Sequence, residues 1–171
     1  MNEQNKLIYP LNGIEMNLLN PDADLITYDK LNNMDNENDL FEKSNKVIIL
    51  YLLKSKNNGH WVCAFRRNGW VYFWDSYGYS PDYEVDNLTP EERAEYNEKR
   101  GRLHYVLRNS NTIYNDKRLQ TKGTKTCGCF ASHRLNHSEY DNKTYRKIFF
   151  NGKYPDVVVA DYCLNKLKKI I

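Results

Sequence analysis

The chain has 171 residues, 40% of them apolar and 13% aromatic, with 14 tyrosines, which supplies the core of a single domain despite a mean hydropathy of −0.81. A formal net charge of +3, from 25 Lys and Arg against 22 Asp and Glu, is too mild to mark a nucleic-acid binder. Four cysteines at this length do not read as a secreted disulfide framework, Met1 to Lys6 lack the start of a signal peptide, and no stretch reaches the roughly 18 apolar residues of a membrane span. A soluble protein of a reducing intracellular compartment, without membrane contact, is expected.

From Leu7 to Leu40, short apolar pairs cut by Asn, Pro and Asp predict a short helix, a turn and one brief strand at Leu25 to Tyr28. A polar helix or loop follows around Met34 to Lys43, with Asn32 to Asn38 biased enough in composition to be mobile. Lys46 to Leu53 is a β-branched apolar run, the pattern of a strand buried on both faces, bounded by an exposed turn at Lys54 to Gly59. His60 to Arg67 and Trp70 to Asp75, joined by Asn68-Gly69, give the strongest short-range hairpin signal there is. Together these runs predict a β-meander from Lys46 to Asp75.

Thr89-Pro90-Glu91-Glu92 reads as a helix start, with the helix running to about Arg108, broken near Gly101 and carrying a solvated charged face. Asn111 to Asn115 reads as a short strand. A polar loop from Thr121 then leads to Thr126, the expected N-cap of a helix whose first residue is Cys127. Ser138 to Phe150 and Pro155 to Ile171 predict two further helices, separated at Asn151-Gly152. In the last of them Val158, Val159, Tyr162, Cys163 and Leu167 form a core stripe.

Chemistry concentrates around Cys127. A thiol at a helix N-terminus meets unpaired N–H groups and the positive end of the helix dipole, an environment that suits a thiolate; the plain alternative is that Cys127 and Cys129 are small buried apolar residues. In the antiparallel hairpin the start of one strand lies beside the end of the next, so His60 and Asp75 can be neighbours, a base and the group that orients it. Separately, each has an ordinary reading, His60 as an edge residue and Asp75 as the first residue of the turn Ser76-Tyr77-Gly78. Gln120, seven residues before Cys127, can aim a side-chain N–H at the oxygen that the Cys127 backbone N–H approaches. Thiolate, base, orienter and oxyanion donor are what an acyl-transfer cysteine enzyme requires. Cys129 points about 200° away from Cys127 on the helix and reads as structural. Cys63, at an odd offset from His60, falls on the opposite face of its strand. His104, His133 and His137 match no usual zinc spacing with the cysteines, although His133 and His137, at i and i+4, could form half a site.

With these residues the chain resembles the adenain-like cysteine peptidases, the family of the adenovirus maturation protease and, more distantly, of the SUMO and other ubiquitin-like-protein-specific proteases. The resemblance rests on Gly59-His60-Trp61, Phe73-Trp74-Asp75-Ser76-Tyr77-Gly78, Gln120 and Thr126-Cys127-Gly128, in family order. The Gln-to-Cys step is similar to the viral branch, the SUMO branch being one residue shorter. Pro81-Asp82, and Tyr114-Asn115 before Leu119-Gln120, look closer still to the proteases of virophages, Maverick/Polinton elements and large DNA viruses. Cys129 departs from the basic residue common there.

The resemblance covers roughly Lys46 to Phe150, which makes residues 46–150 the catalytic core, 1–45 a variable N-terminal part and 151–171 a C-terminal helix of one peptidase domain. It implies an α+β fold in which a small, mostly antiparallel sheet packs against a central helix carrying the nucleophile, in a circularly permuted papain-like arrangement. It implies Cys127 as nucleophile, His60 as general base and then acid, Asp75 as orienter, Gln120 as oxyanion-hole donor, and Trp61 as support for His60 or a plain core aromatic. The implied function is maturation of capsid or other virion proteins at small, often glycine-containing sites, by a monomer in the virion and in the cytoplasm or viral factory of the host. No cofactor or metal is expected. The alternatives are a deubiquitinase or deSUMOylase acting on host conjugates and a catalytically inactive binding module. DNA or a short peptide helps some relatives; Lys117, Arg118, Lys122, Lys125, Lys166, Lys168 and Lys169 could contact phosphates, and solubility explains them equally well.

Overall fold

Continuous apolar runs, rather than alternating ones, build a sheet that is covered on both faces. The computed structural model describes residues 1–53 and 59–171; residues 54–58 of the expected turn lie outside the described residues. Two short helices, α1 (Glu3–Leu7) and α2 (Gly13–Leu19), precede strand β1 (Asp24–Thr27), a 3-10 turn over Tyr28–Asn33 and the single-turn helix α3 (Glu37–Leu40). Strands β2 (Lys46–Tyr51), β3 (His60–Arg67) and β4 (Trp70–Trp74) form the meander. Three short helices follow, α4 (Tyr83–Asp86), α5 (Pro90–Glu95) and α6 (Arg102–Val106), then β5 (Thr112–Tyr114). The chain closes with α7 (Cys127–Leu135), α8 (Asn142–Arg146), a 3-10 turn at Lys147–Phe149 and α9 (Pro155–Ile170).

The strand order is β1-β2-β3-β4-β5. The central pairings β2–β3 and β3–β4 are antiparallel, as the meander requires. Asn68 and Gly69, with φ of 53° and 79°, make the two-residue turn that sets Arg67 opposite Trp70. Both edge strands, however, are parallel to their neighbours, β1 to β2 and β5 to β4. The sheet is therefore mixed rather than mostly antiparallel. A parallel pair needs a crossover connection, and here the crossovers are the polar stretches through α3 and through α4 to α6, which carry no strand signal of their own.

Period-two alternation sorts the strands into two cores. Trp61, Cys63, Phe65, Tyr72 and Trp74 face α2, α7 and α9, whereas Val62, Ala64, Val71 and Phe73 pack on Tyr28, Leu31, Val85, Leu103 and Val106. The α9 stripe behaves as expected, with Val159, Cys163 and Leu167 buried and Val158 and Tyr162 partly buried against the same core. Helix α7 lies between β3 and α9, which fixes its N-terminus at one end of the sheet.

Two predicted helices are shorter than their patterns. The one expected from Pro90 to Arg108 stops at Glu95 and restarts at Arg102, because Asn97 and Gly101 take left-handed backbone. Glu98, between the two pieces, is buried and accepts the N–H groups of Leu52 and Leu53 at the end of β2, so this acid caps a strand rather than facing water. The helix expected from Ser138 begins only at Asn142, where Asp141 caps it by accepting from the Thr144 N–H.

Candidate active site

The hairpin places His60 and Asp75 as a diagonal pair at one end of the sheet. His60 Nε2 lies 2.8 Å from Asp75 Oδ1, with both residues buried. The same carboxylate oxygen accepts the Tyr77 N–H at 2.8 Å. With Nε2–H donated to Asp75, Nδ1 is the imidazole nitrogen left for a second partner. The Tyr77 ring stacks on the imidazole, with centroids 4.8 Å apart.

Burial pushes the His60 imidazole down; the charge and hydrogen bond of Asp75, joined by a hydrogen bond and charge from Cys127, outweigh it and hold the group well above the ordinary histidine range. The shift favours the imidazolium, the charge state that partners a thiolate.

Asp75 is held through its backbone as well. Asn115 accepts from the Asp75 N–H at 3.0 Å, and its amide donates to the Asp75 carbonyl at 2.6 Å. Gly78 completes the turn with φ of 75°, and a Cβ there would sit 2.8 Å from the Lys117 carbonyl carbon and 2.9 Å from the Arg118 nitrogen. Both obstacles are backbone and cannot rotate away. Gly78→Ala is expected to lower stability by about 2 kcal/mol or more, read as a fall in the urea midpoint at unchanged slope.

Cys127 is the first residue of α7, half-buried and set against the core. Thr126 occupies the N-cap position without capping: its side chain makes no bond to the helix, and its hydroxyl donates to Asp156 at 2.6 Å. Gly128 packs where a Cβ would meet Met16 Sδ at 3.1 Å, Trp61 Cδ1 at 3.1 Å and Leu11 Cβ at 3.2 Å. A residue this small lets the helix start approach Trp61. The Trp61 indole N–H in turn donates to the Leu11 carbonyl at 3.0 Å, and the Lys125 N–H donates to the Leu7 carbonyl at 2.8 Å. The segment from Leu7 to Leu11 thus forms a wall of the site. Backbone carbonyls form those contacts, so no residue signature announced them.

Gln120 is buried with its amide orientation fixed. Ser76 Oγ donates to Oε1 at 2.6 Å, Nε2 donates to the Thr124 carbonyl at 3.1 Å, and the Gln120 backbone N–H reaches the Ser76 carbonyl at 3.0 Å. One amide N–H remains available. His60, Trp61, Gln120 and Cys127 line a single cleft of about 320 Å³ with Glu84 and Thr124. Asp75 stands behind His60 rather than in the cleft wall, so the structure brings His60, Asp75, Gln120 and Cys127 together.

The structure adds Asp156, a buried carboxylate from the first turn of α9. Its oxygens accept the Thr121 N–H and the hydroxyls of Thr121, Thr124 and Thr126, at 2.6 to 3.0 Å. The loop between Gln120 and Cys127 is thereby tied to α9. The run of threonines was the available signal; their shared acceptor, 30 residues beyond Thr126, was not.

The other cysteines stand apart. Cys63, Cys129 and Cys163 are buried free thiols, and burial pushes Cys63 up to about 12. Its interaction with the neighbouring Cys163 side chain, together with burial, holds Cys129 well above its usual range. His133 and His137 stack on each other with centroids 4.2 Å apart, and His133 Nδ1 lies 2.7 Å from the Tyr145 hydroxyl; burial lowers His133 to about 3. His104 instead meets Asp82 at 2.6 Å. Among the described residues one set of metal-capable donors occurs, His60, Asp75 and Glu84, with ligand atoms within 4.8 Å of one another, and two of the three are already spent on each other. Of the basic residues, Arg118 donates to the Gln120 carbonyl and Lys166 to the Leu19 carbonyl, whereas Lys117, Lys122, Lys125, Lys168 and Lys169 are exposed. No helix of the described residues is long and apolar enough to cross a membrane.

No family model matches the chain. Its sequence is 26% identical over 137 residues to Uncharacterized protein V9 of the Sputnik virophage, spanning 77% of this chain and 78% of that protein. Among solved structures it is similar to the C-terminal Ulp1 protease domain in complex with Smt3, the yeast orthologue of SUMO. Identity there is 13%, coverage 98% of this chain and 77% of that one, and the TM-score 0.39. The SUMO protease Ulp1 with its catalytic cysteine oxidised to a sulfinic acid gives 12% identity, 98% and 78% coverage and a TM-score of 0.38.

Proposed function

We propose that this chain is a cysteine endopeptidase, arranged as a circularly permuted papain-like site, that matures capsid or other virion proteins of a virus or mobile element. One observation carries the reading: the 2.8 Å His60–Asp75 pair, the fixed Gln120 amide and Cys127 at the start of α7 converge on one cleft. In the proposed cycle the Cys127 thiolate attacks the scissile carbonyl while the His60 imidazolium, steadied by Asp75, gives its proton to the leaving amine. The tetrahedral oxyanion receives the remaining Gln120 N–H and the Cys127 backbone N–H. The acyl-enzyme is then released by a water molecule whose proton His60 accepts, which restores the starting charges.

The substrate class is tested by incubating the protein with the structural proteins of its virus and, in parallel, with ubiquitin-type and SUMO-type C-terminal reporters. Mass change in the virion proteins supports maturation. Turnover of the reporters alone moves the assignment to a deubiquitinase or deSUMOylase, and failure of a vinyl sulfone probe to label Cys127 near neutral pH leaves an inactive binding module. Repeating the assay with DNA across a salt series reads whether the exposed lysines recruit an activator.

A further inference from the structure

Two buried carboxylate oxygens in the site have no hydrogen-bond partner among the described residues, Asp75 Oδ2 and Glu84 Oε2. They belong to carboxyl groups that, with His60, bring ligand atoms within 4.8 Å of one another. The other Asp75 oxygen is fully employed, accepting from His60 and from the Tyr77 N–H. Glu84 comes from α4, which starts after the left-handed backbone of Asp82, φ 67°, and it lines the cleft beside His60, Tyr77 and Cys127. Two ionised carboxylates this close, each with one buried oxygen lacking a donor, would repel each other. A single proton resolves both, because a protonated carboxyl becomes a donor.

We propose that Glu84 is a positioning residue of the catalytic centre, holding a proton that it donates from Oε2 to Oδ2 of Asp75 and through Asp75 setting how strongly His60 keeps its charge. The inference rests on the reading of His60 as the catalytic base. It extends the His60–Asp75 line by one carboxyl, and that carboxyl changes charge near neutral pH: burial lifts Glu84 to about 7, the His60 charge opposing the rise and the Asp75 charge adding to it. The other ionisable groups here are Tyr51 on β2, Tyr77 after β4, Arg118 above the Tyr77 ring, Asp82 before α4 and Cys127 on α7. Tyr51 and Tyr77 are both held above the usual phenol range, chiefly by burial, and stay neutral. Arg118 is turned to the Gln120 carbonyl, and Asp82 is consumed by Tyr28, Leu103 and His104. Lys125, at the rim of the cleft, is exposed. Cys127 also acts on His60, and with that thiol replaced by alanine Glu84 is the remaining group whose titration alters the field on His60 near neutrality.

The sign follows from the charge. Below the Glu84 midpoint the neutral carboxyl donates to Asp75. Above it a second negative charge stands behind His60 and extends the imidazolium to higher pH. Glu84→Gln fixes the donor and removes the charge. The experiment follows the His60 imidazole by heteronuclear NMR across pH in Cys127→Ala protein and in Cys127→Ala/Glu84→Gln protein, and measures the pH profile of kcat/KM for the wild type and for Glu84→Gln. The expected result is a His60 midpoint lower by on the order of one pH unit in the Gln variant, with the alkaline limb of kcat/KM displaced in the same direction. An unchanged His60 midpoint in folded Glu84→Gln protein overturns the proposal. Glu84→Ala, which loses donor and charge together, guards against a Gln side chain that turns away. The NMR arm needs no substrate, so a shifted midpoint in a protein that cleaves nothing would reject the protease reading while leaving the Glu84 assignment intact.

Discussion

Replacing Cys127 by alanine is expected to lower peptide-bond hydrolysis by about 10⁵-fold, the scale on which covalent catalysts lose rate when their nucleophile is removed. Little else should change. Cys127 is half-buried at the first position of α7, where alanine is well accommodated, so the unfolding midpoint is expected to stay within about 1 kcal/mol of wild type. A companion measurement uses the differences among the four thiols. Cys63 and Cys129 are buried and shifted upward, and Cys163 is buried without exposure, so a short iodoacetamide pulse near neutral pH should modify Cys127 alone. Peptide mapping that finds equal labelling at another cysteine, or a Cys127→Ala protein that still cleaves its substrate, contradicts the assignment. Because His60 is held well above its ordinary range by Asp75, the alkylation rate should persist through neutrality and change in character only where the imidazolium loses its proton at alkaline pH.

How much of this site was legible depended on how each residue reaches it. His60 and Asp75 could be paired from the chain alone because the Asn68-Gly69 turn permits one close register, and that register puts both side chains on one face at one end of the hairpin. Gln120 and Cys127 were linked by a short loop and by chemistry that leaves few other residue types eligible. The parallel edge strands were not legible as such: β1 and β5 are brief, and what decides their direction is the path of a crossover, a tertiary property absent from local pattern. Glu98 and Glu84 illustrate the same limit. Glu98 lies in the run that reads as a solvated charged face and Glu84 in the stretch just before it, yet one is buried as the cap of β2 and the other lies against the His60–Asp75 pair, because α4 and the break after α5 fold that stretch back over the sheet. Asn115, read as the last residue of a strand, falls just past β5, which ends at Tyr114, and carried no local sign that its amide would brace the backbone of Asp75.

The largest effect on stability is expected from Asp156→Ala. The native carboxylate is fully buried and accepts four hydrogen bonds, from one backbone N–H and three threonine hydroxyls. Truncation leaves those donors without an acceptor in a region that water reaches poorly, a loss of about 3 kcal/mol or more. For a domain of this length that corresponds to a fall in Tm of roughly 6–12 °C. Asp156→Asn should fall between the two, since its oxygen can still accept from one pair while its amide presents a donor to the other pair of donors. The consequence for the site differs from that of Cys127→Ala. Thr124, held by Asp156, supplies the carbonyl that orients the Gln120 amide, so loosening the loop from Thr121 to Thr126 is expected to misaim the proposed oxyanion donor more than it disturbs His60, Asp75 and Cys127. Asp156→Ala protein, assayed well below its lowered Tm, should therefore lose at least about tenfold in kcat/KM yet still alkylate at Cys127 at close to the wild-type rate. A variant that melts with the wild type would show that the threonines find other acceptors. Alkylation lost in step with turnover would place Asp156 in support of the helix start itself rather than of the loop that carries Gln120.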